Sequence, residues 1–137
     1  MKICSQQKKI LIIKFGGLGD IILSLNAIFS ILNHHKTQTI LLTEKPYDDF
    51  FYSSGWFEKI ITIKRGLFYF IDRRQIQKKI INEKFAFVYD LQTSRRTSSY
   101  LKFFLNQEAI TNGIGKFAKL NHNSKNRDFI HTLERQK

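Results

Sequence analysis

The strongest constraint on the fold is a glycine-rich turn that separates an apolar segment from an amphipathic one. Residues 10–13 are all Ile or Leu, and Gly16, Gly17 and Gly19 follow shortly after them. Residues 21–32 then place apolar side chains at helical spacing. A strand, a glycine turn and a helix in this order form a ligand-binding crevice at the carboxyl edge of a parallel sheet. Asp20 lies where the helix begins, and a carboxylate there is placed for chemistry rather than for holding a phosphate group.

Apolar runs and amphipathic segments alternate along most of the chain. Buried-strand patterns are found at residues 10–15, 37–43, 59–63 and 85–90, with a weaker one at 109–114. Helical patterns run from 20 or 21 to a close at residues 33–36, from Pro46 to Gly55, over 73–83, and from Thr93 or Ser94 to about 105. Residues 65–72 fit either a loop or a helix start. The alternation predicts an α/β fold with a Rossmann-like parallel sheet flanked by helices.

The chain is long enough for one substantial domain. Its 137 residues support one hydrophobic core and are too few for two. An apolar content of 42% and an aromatic content of 14% indicate a folded protein. We predict a Rossmann-like lobe over residues 1–120 and a polar linker or tail over residues 121–137, because the last segment has no core-forming pattern.

Charge and cysteine content bear on partners and location. The 23 Lys and Arg against 11 Asp and Glu give a net charge of +12, which suits a polyanionic partner or reflects compositional drift. Cys4 is the only cysteine, so no internal disulfide can form, as expected in a reducing cytosol. Residues 21–32 are too few and too polar to cross a bilayer. We predict a cytoplasmic protein, without a metal site, that can rest peripherally on the inner face of the cytoplasmic membrane.

Three ordinary interpretations of the glycine turn compete with a catalytic one. A dinucleotide-binding fingerprint would need a third glycine where Ile22 stands, and Asp20 would repel the pyrophosphate. A phosphate-binding loop would need a Gly-Lys-Ser/Thr ending, which the turn lacks. Asp20 as a helix N-cap is physically sound, because aspartate is a favoured cap, and capping does not exclude catalysis.

Two motifs resemble those of a known enzyme family. Residues 10–24 read ILIIKFGGLGDIILS, which resembles the N-terminal motif of the lipopolysaccharide heptosyltransferases, glycosyltransferase family 9. Residues 88–98 read VYDLQTSRRTS and are similar to the family's strand-ending Asp-Leu-Gln segment and the helix after it. The spacing of residues 56–61 also fits the family's third strand. The resemblance extends over roughly residues 8–134.

The resemblance implies a fold and a catalytic group. The implied fold is the N-terminal, acceptor-binding lobe of a GT-B glycosyltransferase, in which two Rossmann-like lobes face a cleft. Asp20 matches the family's proposed general base, which takes a proton from the acceptor hydroxyl. Gly17 and Gly19 would keep the turn free of side chains, so that a sugar can approach the backbone.

The resemblance also implies contacts with the acceptor. Arg96 matches a basic residue that would pair with a phosphate or carboxylate on the lipopolysaccharide inner core or lipid A. Arg95 and Gln92 are weaker acceptor-binding candidates, and for Arg95 a solvated helix face is favoured over a contact. Asp90, at a strand end, is expected to cap or orient its neighbours.

The family's donor-binding lobe has no counterpart in this sequence. The nucleotide sugar, ADP-heptose by resemblance, is expected to bind that C-terminal lobe, so no cofactor is assigned to this chain. We expect a truncated or split product that is inactive alone and that a separate donor-lobe chain completes.

Two other classes of function stay open. The charge fits a basic nucleic-acid-binding module, although no recognised RNA- or DNA-binding signature is present, so nucleic acid is not the favoured partner. A fragment of a Rossmann nucleotide-binding oxidoreductase would share the strand, turn and helix.

Overall fold

Apolar strands pair side by side in the computed structural model, which describes residues 9–64, 67–80, 83–92, 94, 97, 100, 109–113 and 120–121. The elements in that part of the chain are β1 (Lys9–Ile13), α1 (Leu18–His35), β2 (Thr39–Glu44), α2 (Tyr47–Ser54), β3 (Lys59–Ile63), α3 (Tyr69–Ile80), β4 (Phe85–Asp90), β5 (Ile110–Gly113) and β6 (Leu120–Asn121). These strands form one parallel sheet in the order β3-β2-β1-β4-β5-β6. The predicted α/β fold is confirmed.

The order of the strands places a switch point beside β1. The chain moves outward from β1 to β3, and then returns to the other side of β1 with β4. In open parallel sheets, ligands bind at such a point, in the crevice outside the carboxyl ends of the strands.

The central strand explains the continuous apolar run in the sequence. The four apolar residues of β1 are each at most 1% exposed, because both faces of the sheet are covered: Ile10, Leu11, Ile12 and Ile13. On one face they pack in a cluster with Ile21 and Ile28 of α1 and Phe51 of α2. On the other face the cluster includes Ile76 of α3 and Tyr100.

The first helix begins earlier than predicted and ends where it was predicted to end. It starts at Leu18 rather than at Asp20 or Ile21, because Gly17 is extended (φ −87°, ψ 179°) and its carbonyl accepts the first helical hydrogen bond, from the Ile21 amide at 3.0 Å. It continues to His35, where Lys36 adopts a left-handed conformation with φ 46°. Asp20 thus lies in the first turn of α1 and is not its cap.

The ambiguous segment before α3 turns out to include the start of a helix. α3 begins at Tyr69, ahead of the predicted Arg73, and the amide of Ile71 bonds to the carbonyl of Phe68. Ile76 and Ile80 are buried as predicted, whereas Ile81 lies outside the described residues. β2 begins at Thr39, two residues later than predicted.

The region after β4 agrees with the sequence where the structure describes it. Ser94 Oγ accepts a hydrogen bond from the Thr97 amide at 3.1 Å, which is the kind of N-cap contact that was predicted for Thr93 or Ser94. Tyr100 is fully buried as predicted, and Thr93, Leu101 and Phe104 lie outside the described residues. The sequence analysis missed β6, which has only two residues and pairs with β5. Residues 122–137 are outside the described part, so the boundary between lobe and tail stays a prediction.

Candidate functional site

The glycine turn after β1 is held by side chains from both neighbouring strands. The amide of Gly16 donates to Glu44 Oε1 at the end of β2, at 3.2 Å. From the β4 side, Gln92 Oε1 accepts from the amide of Phe15 at 3.2 Å, and Gln92 Nε2 lies 3.5 Å from the carbonyl of Gly16. The turn therefore has a set conformation at the switch point of the sheet.

Packing requires a glycine at Gly16. A Cβ atom added there would lie 1.8 Å from Cε2 of the Tyr47 ring, at the start of α2. At Gly17 an added Cβ would meet only the Tyr47 hydroxyl, at 3.8 Å, and at Gly19 it would meet nothing within 4 Å. Gly17 and Gly19 are exposed. The fold thus requires Gly16, which was not a predicted site residue, whereas Gly17 has room for a side chain at ordinary contact distance and Gly19 faces open space.

The Asp20 carboxylate is exposed and makes no hydrogen bond or ion pair within the described part of the chain. Only the backbone of this residue is engaged, since its carbonyl accepts from Ser24 Oγ at 2.5 Å. The positive end of the α1 dipole lies beside it and interacts favourably with a negative charge. Because Gly17 is the N-cap and no side chain caps α1, the interpretation of Asp20 as a cap is wrong. The carboxylate is free to accept a proton from a bound ligand.

Asp90 behaves as expected of an orienting residue. It is 1% exposed, its Oδ1 accepts from the amide of Gln92 at 3.1 Å, and its Oδ2 accepts from Thr97 Oγ1 at 2.9 Å. This buried carboxylate links the end of β4 to the helix that follows. It also holds the backbone of Gln92, whose side chain in turn holds the glycine turn.

The predicted acceptor-binding residues differ in what the structure shows. Arg95 and Arg96 lie outside the described residues. The amide group of Gln92 contacts the backbone of the glycine turn, so its direct role in the fold is to position that turn. Its contact with an acceptor remains a prediction.

A basic groove adjoins the turn at the same edge of the sheet. Its volume is about 980 Å³, and Glu44, which holds Gly16, forms part of its wall. Lys45 and Lys64 line it and follow directly after β2 and β3. Lys79 of α3 also lines it, with its ammonium bonded to the carbonyl of Thr62. The sequence analysis missed this groove, although a lysine immediately after two neighbouring parallel strands is a signal for it.

Solved glycosyltransferase structures share this arrangement of strands and helices. Escherichia coli heptosyltransferase WaaC with ADP matches with a TM-score of 0.68 and 14% identity, over 93% of this chain and 44% of that one. A glycosyltransferase family 9 structure from Veillonella parvula DSM 2008 matches with a TM-score of 0.72 and 16% identity, over 94% and 39%. WaaC with ADP-2-deoxy-2-fluoro heptose matches with 0.68 and 13%, over 93% and 45%. The fold is one found in these enzymes.

The structural matches agree with the resemblance that the motifs carried. The chain spans less than half the length of each of these solved structures. No family model matches the chain, and no curated protein sequence matches it. The fold is therefore established by structure, and the roles of residues rest on the geometry of the site.

Two further features concern metal binding and membrane crossing. Among the described residues, no group of three or more His, Cys, Asp or Glu is placed to hold a metal ion. No helix in that part is long and apolar enough to cross a membrane.

Proposed function

We propose that this chain is the acceptor-binding half of a heptosyltransferase-like glycosyltransferase of the GT-B type. One observation carries the proposal, namely the exposed Asp20 carboxylate without a partner at the switch point. It stands in a fold shared with heptosyltransferase WaaC and a family 9 glycosyltransferase. The buried Asp90 at the same edge shows that an acid there can be fully engaged by the fold.

In this proposal Asp20 acts as the general base. Its carboxylate takes the proton of the acceptor hydroxyl while that oxygen forms a bond to the anomeric carbon of the donor sugar. The bond from that carbon to the nucleotide diphosphate breaks, and the diphosphate leaves with the electron pair. The exposed backbone of Gly17 and the open space at Gly19 let the acceptor sugar come within reach of the carboxylate.

The acceptor is a phosphorylated sugar of the lipopolysaccharide inner core or lipid A. Lys45 and Lys64 line the groove beside the turn and form no ion pair with a described residue, so they are suited to a phosphate or carboxylate. Arg96 and Arg95 follow the end of β4 in sequence and are further candidates to bind this anionic group. The net charge of +12 supports an anionic acceptor.

The donor nucleotide sugar, ADP-heptose in this proposal, binds a second lobe. The chain matches only 39–45% of the length of the solved glycosyltransferases, and two of those structures hold ADP or an ADP-sugar analogue. We propose that the 137 residues transfer sugar only together with a donor-binding lobe, at the cytoplasmic face of the membrane.

Direct binding to the 137-residue protein tests the proposal. Calorimetric titration with a delipidated inner-core oligosaccharide should show binding that Lys45→Ala with Lys64→Ala weakens about tenfold or more, because two charge-assisted contacts are lost. Lys84→Ala, an exposed lysine just before β4, is the matched control and should leave the affinity unchanged. ADP should not bind.

Two results would overturn the proposal and point to another class. Binding of NAD in place of the oligosaccharide would identify a Rossmann nucleotide-binding fragment. Binding of single-stranded nucleic acid that falls steeply with salt, with no binding of the oligosaccharide, would identify a basic nucleic-acid module.

A further inference from the structure

A cluster of apolar side chains is exposed where the chain passes from β3 into α3. Its members are 90%, 59%, 54% and 37% exposed, and we name them the apolar tip: Leu67, Phe68, Phe70 and Ile71. The rings of Phe68 and Phe70 stack on each other, 5.6 Å apart and 14° from parallel. An exposed apolar cluster of this kind marks a surface that contacts something other than water.

The apolar tip is not a displaced part of the core. α3 already buries Asp72, Ile76 and Ile80 on its inner side. The base of the tip is fixed to the sheet, since Gln75 accepts from the Lys64 amide at 3.0 Å and donates to the Lys64 carbonyl at 2.6 Å. The tip is therefore held outward by the fold while its anchor stays in place.

Basic residues flank the apolar tip along the chain. Lys64 precedes it, and Arg73, Arg74 and Lys78 follow on α3. Phe70, Arg74 and Lys78 are spaced four residues apart, so they lie along one side of the helix. The acid of the described α3 residues, Asp72, is fully buried and accepts from the Tyr100 hydroxyl at 2.6 Å. The outer side of α3 thus combines apolar and cationic groups without an exposed acid.

We propose that the apolar tip docks on an anionic lipid surface. Apolar side chains that insert among headgroups, next to Arg and Lys that pair with lipid phosphates, are the features of an interfacial helix. An apolar patch alone would suit a protein partner. The basic side chains beside this patch favour phosphate-rich headgroups instead. The tip lies at the carboxyl edge of the sheet, where Asp20 also lies, so docking brings that edge close to the membrane.

Docking does not require the proposed sugar transfer, although it would explain how the site reaches a lipid-linked acceptor. The two proposals also fail separately. A delipidated oligosaccharide reports on the groove and not on the tip, and vesicles without lipopolysaccharide report on the tip and not on the groove.

Vesicle co-sedimentation tests the docking. The 137-residue protein should bind vesicles of phosphatidylethanolamine with phosphatidylglycerol at least tenfold more tightly than vesicles of phosphatidylcholine. Leu67→Ser with Phe68→Ser should lose roughly tenfold per side chain, because two apolar groups no longer leave water. Arg74→Gln with Lys78→Gln should lose most of the preference for anionic vesicles.

A matched control comes from α2. Tyr52 is 59% exposed, like Phe68, but lies away from the apolar tip, so Tyr52→Ser should bind vesicles like the unchanged protein. Circular dichroism should be the same for all variants, since the substituted side chains are exposed. Equal binding by the Leu67→Ser, Phe68→Ser variant would overturn the proposal. A dimer in size-exclusion chromatography that this variant abolishes, with no vesicle binding, would overturn it in favour of self-association.

Discussion

The amino and carboxyl edges of the sheet differ in whether their charged side chains form ion pairs. At the amino edge, Glu83 bonds to Lys9 at 2.5 Å and to Lys59 at 3.2 Å, which ties the starts of β1 and β3 to the residues before β4. At the carboxyl edge, Asp20 forms no such pair within the described part of the chain. The amino edge uses its charges to hold the strands together, whereas the carboxyl edge leaves a charge available to a ligand.

A second contrast lies within the carboxyl edge itself. Asp90 is buried and both of its oxygens accept hydrogen bonds, whereas the carboxylate of Asp20 is exposed. The two acids follow or end neighbouring strands, so their location alone does not distinguish them. Their surroundings do, since the fold engages both oxygens of one carboxylate and leaves the other carboxylate exposed.

Replacing the free acid should have the largest effect on function and almost none on the fold. In a protein supplied with a donor-binding lobe, we expect Asp20→Asn to lower kcat/KM by a factor of about 100 or more, because the amide cannot take the acceptor's proton. The free energy of unfolding should change by less than about 0.5 kcal/mol, as for other exposed substitutions. Steady-state kinetics and urea denaturation measure the two quantities.

Asp49 is the matched control for this substitution. It is also an exposed aspartate in the first turn of a helix, and its carbonyl accepts from Ser53 Oγ at 3.0 Å, as that of Asp20 does from Ser24. Asp49→Asn should leave kcat/KM unchanged. If Asp20→Asn also turned over at the original rate, the contrast between the two edges would carry no meaning for catalysis.

Substitutions in the glycine turn should separate packing from access. Gly16→Ala should lower the free energy of unfolding by about 1–3 kcal/mol, because the new methyl group meets the Tyr47 ring at 1.8 Å. Gly19→Ala should leave it unchanged or raise it by up to about 1 kcal/mol, because the space is open and alanine favours the helix. Urea denaturation of both variants tests this, and equal losses would show that access and packing are not separated here.

The fold was largely predictable because its determinants are local. A strand that is buried on both faces reads as a continuous apolar run, and β1 could therefore be located from residues 10–15. The glycine turn and Asp20 could be located because they follow directly after that strand in the sequence. The start of α1 was misplaced because the cap is Gly17, whose extended backbone leaves no side-chain signal.

The parts of the site that were missed depend on contacts across the sheet. The requirement for Gly16 arises from Tyr47, and the conformation of the turn from Glu44 and Gln92, which lie on other elements. The basic groove forms only when the ends of β2 and β3 lie side by side. These contacts cannot be located from a pattern along the chain, because they depend on the order of the strands in the sheet.

The smallest expected effect is a change in the free energy of unfolding when Glu83, at the amino edge, is replaced. The hydrogen bond from Lys9 lowers the pKa of the Glu83 carboxyl below its ordinary value, with Lys59 adding to the effect and burial opposing it in part. A carboxyl whose pKa is lower in the folded state stabilises the fold above its unfolded pKa, of about 4.3, and loses that contribution as the pH falls through the folded value. Glu83→Gln should therefore cost about 0.5 kcal/mol at neutral pH and nothing in strong acid, and added salt should reduce the cost. Urea denaturation of Glu83→Gln and of the unchanged protein, from neutral to acidic pH, measures the difference. A cost of Glu83→Gln that stays the same from neutral pH to strong acid would mean that the charge of Glu83 does not stabilise the amino edge.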